Sequence, residues 1–114
     1  MTLVARVKVF GQTVRVFETS DKVEKHGFDP EHVNGVFDPE HNIIVLKSNL
    51  KHREKFRIFL HEVGHALLSR LGMHNTTLGH NLEELIVDSY ATLLVEAFEI
   101  ELKHKLKSAR QSHD

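Results

Sequence analysis

Val7 and Val9 alternate with Arg6 and Lys8, and beyond a Gly-Gln pair Val14 and Val16 alternate with Thr13 and Arg15. A period of two is that of a strand with one buried face, so residues 3–10 and 13–18 are predicted as strands of a hairpin turning at Gly11-Gln12. The stretch "TSDKVEKHGFDPEH", residues 19–32, loses the alternation and carries loop punctuation, with room for one helical turn. "VNGVFDPEHNIIVLK" then predicts two short strands, about 33–37 and 42–47, around the turn-rich "DPEH". From about residue 50 the period lengthens. Ser48 or Asn49 can cap a helix over 50–71 that stops at Gly72. After "MHNTTLGH" a second helix is predicted over 80–106, with Leu82, Ile86, Leu93, Ala97 and Ile100 as its apolar stripe. Residues 107–114 have nothing to bury and are expected to form a mobile tail.

Strands followed by helices predict an α+β fold, a small, largely antiparallel sheet packed on two helices in a single domain spanning 1–106. A chain of 114 residues can bury one modest core. The formal charge of −1 gives no basic footprint for nucleic acid. No apolar run approaches the ~20 residues of a membrane span, and the N-terminal alternation lacks a signal peptide's continuous apolar segment. With no cysteine, neither disulfides nor thiolate metal sites are possible, and the chain is expected to be cytoplasmic. Ten histidines are the compositional oddity. Most of them, His26, His32, His41, His52, His74, His104 and His113, read as surface residues.

Three of the remaining titratable groups fall inside "FLHEVGHALL", residues 59–68, which otherwise has the pattern of a buried helix face. Burying polar groups is unfavourable unless each finds a partner. Residues four apart lie on one helical face, so His61 and His65 project side by side at about 6 Å and can bind one metal ion. Glu62 lies next to them, within reach of a water at that metal. This is the HExxH arrangement, in which the histidines are neutral ligands and the glutamate is a general base. Gly64 is unfavourable in a helix interior by about 1 kcal/mol, which points to close packing of another element there.

A catalytic zinc site takes a third protein ligand. Leu68 and Leu71 stand where the extended HExxHxxGxxH pattern needs glycine and histidine, which excludes it. "NLEELIVDSYA" offers Glu84 as the third ligand and Asp88, one turn on, as acceptor for the outer N–H of a ligand histidine. Glu83 is assigned to solvent, at a helix start where acidic residues complement the dipole. His80 lies one turn before Glu84 on the same face and is a rival ligand or an oxyanion stabiliser. Tyr90 points off that face and is expected in the core.

His61-Glu62-xx-His65 followed by Glu84-xxx-Asp88 resembles the gluzincin pattern of thermolysin-like metallopeptidases. More closely, "NGVFDPEHNIIVLKSNL…REKFRIFLHEVGHALL…LEELIVDSYATLL" is similar to the compact ImmA/IrrE-type zinc metallopeptidases over about residues 33–95. That resemblance implies a zincin-like fold and a zinc peptidase, with His61, His65 and Glu84 as ligands and Glu62 as base. Many members come from phages and mobile elements, and some act on a cognate repressor; a helix-turn-helix or sensor domain is not expected within these residues. The Gly79-His80 pair is also similar to SprT-like zinc proteins, which would make a three-histidine site.

Two function classes follow. One is a zinc endopeptidase holding one Zn²⁺ per chain, with a restricted protein substrate paired along the strand at 42–47. The other is a metal-binding regulatory or interaction protein with little turnover. Glu62 favours the first, since a purely structural site has no use for a base.

Overall fold

The computed structural model describes the backbone of residues 1–73 and 79–112, and side chains through residue 97. Most of the "MHNTTLGH" connection, the side chains of Ile100 and His104, and His74 and His113 lie outside what is described. Strands β1 (Thr2–Val9), β2 (Gln12–Thr19), β3 (Gly35–Asp38) and β4 (Ile43–Lys47) precede helices α1 (His52–Arg70) and α2 (His80–Ser112). A 3-10 turn, Glu24–His26, supplies the helical turn expected in the long connection. The α+β class holds. The second helix runs to Ser112, six residues past its expected end.

β1 and β2 pair antiparallel with Val9 opposite Gln12, so the hairpin turns at Phe10-Gly11 and not at Gly11-Gln12. Both turn residues have positive φ, 48° and 78°, as a two-residue turn matching strand twist requires. β3 and β4 also pair antiparallel. Between the hairpins β2 runs parallel to β4, giving the order β1-β2-β4-β3. The sheet is therefore mixed, with two antiparallel pairings and one parallel. β2 and β4 are interior, and β1 and β3 are the edges. Ile43, Ile44, Val45 and Leu46 are all buried, as expected for a strand covered on both faces.

One face of the sheet carries Val14, Val16, Phe37, Ile44 and Leu46, which pack with Ile58 and Ala66 of α1. Burial of each such aliphatic side chain contributes about 1.5–3 kcal/mol. The other face is covered more thinly by the connection between β2 and β3, where Phe28 packs on Ile43 and Val45. α1 starts without a side-chain cap, at Lys51, so neither Ser48 nor Asn49 has the expected role. It ends as expected: Gly72 takes φ 71°, and the Met73 N–H reaches back to the Leu68 carbonyl at 2.8 Å.

α2 packs on α1 with a different stripe from the one its pattern suggested. Glu83, Val87, Ala91 and Val95 are buried, whereas Leu82, Ile86 and Leu93 are exposed. Tyr90 is exposed too, against expectation. Gly64 fixes this phase. A Cβ built on it would stand 2.9 Å from Val87 Cγ1, so the missing side chain is what admits Val87. Among the described residues, no helix is long and apolar enough to cross a membrane.

Candidate metal centre

The face of α1 turned from the sheet toward α2 carries His61 and His65, one turn apart, and α2 brings Glu84 over them. His61 Nε2 and His65 Nε2 lie 3.2 Å apart. Glu84 reaches both, with Oε2 3.2 Å from His61 Nε2 and Oε1 2.8 Å from His65 Nε2. Around an ion with bonds of about 2.0–2.1 Å, tetrahedral ligand atoms sit about 3.3–3.4 Å apart. The three groups therefore need to open by only a few tenths of an ångström to enclose one.

The proton inventory points the same way. His65 Nδ1 contacts Glu83 Oε1 at 2.7 Å, where a carboxylate oxygen accepts from an imidazole N–H. A ring that donates from Nδ1 turns its lone pair to Nε2. That lone pair meets the His61 nitrogen and a Glu84 oxygen. A cation between them, or an added proton, is what reconciles the three. Burial is the main influence lowering the His61 pKa, with the charges of Glu84 and Asp88 opposing it, and a neutral imidazole is the form that binds metal.

Glu62 also lies by the histidines, all three offering a ligand atom within 4.8 Å of one another. It is Glu84, however, that approaches both Nε2 atoms, which leaves Glu62 for a different task. Burial first, then the Glu84 charge, push Glu62 up to about 8, while the Phe37 backbone N–H donates to it and partly offsets both. A bound cation would work against both raising influences. Gly35 packs directly under this carboxylate: a Cβ there would come within 2.6 Å of Ile58 and 3.5 Å of Glu62 Cγ. The strand, the helix and the Glu62 side chain are thus held in one tight contact.

The carboxylate against His65 Nδ1 is Glu83, while Asp88, expected beside the outer nitrogen of one of the two histidines, lies by His61 Nδ1. Glu83 is fully buried, although its sequence position suggested a solvated helix start. The i, i+4 series Glu83-Val87-Ala91-Val95, with Gly64 opposite Val87, is the signal that would have found it. Asp88 stays near His61 Nδ1, at 3.5 Å, too long for a strong hydrogen bond, and is held by Arg57 at 3.0 Å. Arg57 also pairs with Glu54.

These residues border a cavity of about 440 Å³ lined by Gly35, Phe37, His61, Glu62, His65, His80 and Glu84, among others. His80 is thus in the site's mouth, as its spacing from Glu84 implied. The strand that borders the cavity is β3, not β4. In an antiparallel pair, alternate residues turn their main-chain groups outward. Asn34 bonds across to Lys47, so Gly35 and Phe37 face the open edge. No family model, curated protein or solved structure matches the chain.

Proposed function

We propose that the protein is a cytoplasmic zinc-dependent endopeptidase acting on a restricted protein substrate. The observation that carries this reading is the meeting of His61, His65 and Glu84 beside a buried carboxylate, Glu62, in a cavity bounded by an open strand edge. The resemblance of residues 33–95 to the ImmA/IrrE-type metallopeptidases supports it.

His61, His65 and Glu84 would hold the metal, with Glu83 orienting His65. Zinc bound there supplies Lewis acidity toward a carbonyl and lowers the pKa of water. Glu62 takes the proton of the attacking water and delivers it to the leaving amine. An extended substrate would pair with the outward main-chain groups of Gly35 and the outward carbonyl of Phe37 on β3, the Phe37 N–H being taken by Glu62. The strand at 42–47 is excluded for that purpose, because β2 and β3 occupy both its edges.

The test is zinc-loaded protein incubated with a degenerate peptide library, cleavage being read by mass spectrometry. Glu62→Gln should retain zinc and lose cleavage by about 10²–10⁴-fold. A library left intact by the wild type, or cut equally by Glu62→Gln, overturns the reading.

A further inference from the structure

We propose that His26, Asp38 and His41 form a second metal site, on the face of the sheet opposite α1, which takes zinc or a similar divalent transition-metal ion. The proposal is independent of the peptidase reading. Adjacent strand residues point to opposite faces. Phe37 joins the core against α1, so its neighbour Asp38 faces the thinly covered side.

Three separate segments converge there: the Glu24–His26 turn, the end of β3, and the turn before β4. His26 Nδ1 and His41 Nδ1 each lie 2.7 Å from the same carboxylate oxygen, Asp38 Oδ2. The imidazole rings are 4.9 Å apart and nearly perpendicular, at 89°. Asp38 Oδ1 accepts the backbone N–H groups of Glu40 and His41 at 3.0 and 3.3 Å, which fixes the carboxylate so that Oδ2 is presented between the rings. Such outer support is what a metal-binding carboxylate commonly receives. The side chains of His26 and Asp38 are only 9% exposed, whereas His41 is 30% exposed, leaving one open side for water or a further ligand.

With metal bonds of about 2.0–2.1 Å, ligand atoms stand about 2.9–3.4 Å apart, so each nitrogen retreats by roughly half an ångström to admit an ion. Each ring would move its hydrogen from Nδ1 to Nε2, a change of tautomer without net loss of a proton. Two imidazoles and one carboxylate suit zinc, nickel or copper(II), whereas calcium and magnesium prefer all-oxygen sets. The site's position gives it a use. The connection between β2 and β3 rests on a cluster with only Phe28, Ile43 and Val45 buried, and a metal would fasten it to the sheet.

The experiment titrates metal-stripped protein with zinc at micromolar concentration and measures bound metal after gel filtration by plasma mass spectrometry. Four chains are compared: wild type, His41→Gln, His61→Ala/His65→Ala, and the triple variant, with circular dichroism confirming the fold of each. Two, one, one and no zinc ions per chain are expected, and zinc should raise the melting temperature of the double variant but not of the triple. If only the HExxH site fails, wild type and double variant each hold one zinc and His41→Gln holds none, which still supports the second site. No zinc on the double variant, or equal zinc on double and triple variants, overturns it.

Discussion

His65 points its Nδ1 at Glu83 Oε1, 2.7 Å away, and Glu83 is fully buried between the two helices. One histidine of the HExxH helix is thus aimed by a carboxylate sealed into the contact with α2. A metal bound at Nε2 would therefore be linked to the docking of the two helices.

Glu83→Gln keeps the volume but replaces an acceptor-only carboxylate by an amide whose NH₂ needs partners in a buried site. Zinc affinity should fall about 10–100-fold, the usual consequence of losing a ligand's outer partner. Metal-free stability should also drop, by about 1–3 kcal/mol. Competition with a chromophoric chelator and a denaturant melt measure the two. Unchanged zinc affinity would leave Glu83 as mere packing.

Apart from the far end of α2, strand and helix positions were legible to within a residue or two because their faces are buried, and burial imposes the period. Neighbour relations were not. Alternation says that Val14 and Val16 face a core, but not that β2 runs parallel to β4, since that pairing joins segments distant in sequence. The four consecutive buried residues Ile43–Leu46 did carry the clue, because a strand apolar on both faces belongs in a sheet interior. The phase of α2 was misread for a related reason. The helix has larger apolar residues on one side, Leu82, Ile86 and Leu93, and smaller ones on another, Val87, Ala91 and Val95. The smaller set allows close approach at Gly64, and that choice belongs to the pair of helices, not to either alone. His26 and His41 read as surface residues because their shared partner, Asp38, is recognisable only in three dimensions.

Glu84 and His80 both line the cavity, but only Glu84 is seen close to both Nε2 atoms. Glu84→Ala should weaken zinc binding by at least 100-fold, while His80→Ala should leave it within about threefold, differences of more than 2.7 kcal/mol and less than 0.7 kcal/mol. His80→Ala is expected to act on turnover, if at all. Equilibrium zinc titration of both variants decides it, and the opposite ranking would establish a three-histidine centre.

The Gly64–Val87 contact makes a coupled prediction. Gly64→Ala gains about 1 kcal/mol of helix propensity, yet its methyl would stand 2.9 Å from Val87 Cγ1 and push α2, with Glu83 and Glu84, away from the histidines. Zinc affinity should fall about tenfold. Val87→Ala added to it should restore most of that loss, although Val87→Ala alone destabilises by leaving a cavity. A double-mutant cycle on zinc affinity measures the coupling. Additive effects would mean that the close approach does not position the ligands.

The last prediction concerns acid. Burial would raise the Asp38 pKa, but the hydrogen bonds from His26 and His41 and the His41 backbone N–H outweigh it and hold the carboxyl below its ordinary value of 3.8. Below 3.8 the unfolded chain therefore binds a proton that the native state still excludes, and stability falls with pH in that window. Above it the contribution is fully present. In chelator-treated protein, Asp38→Asn should cost about 1.5–3 kcal/mol at pH 6, the usual worth of hydrogen bonds to a charged group. Because asparagine cannot titrate, the gap between variant and wild type should narrow from pH 4 to pH 3 and close as the native carboxyl is protonated. Denaturant melts of both proteins at pH 6, 4 and 3 measure it. A gap that stays constant to pH 3 would show that the imidazole contacts do not stabilise the ionised form.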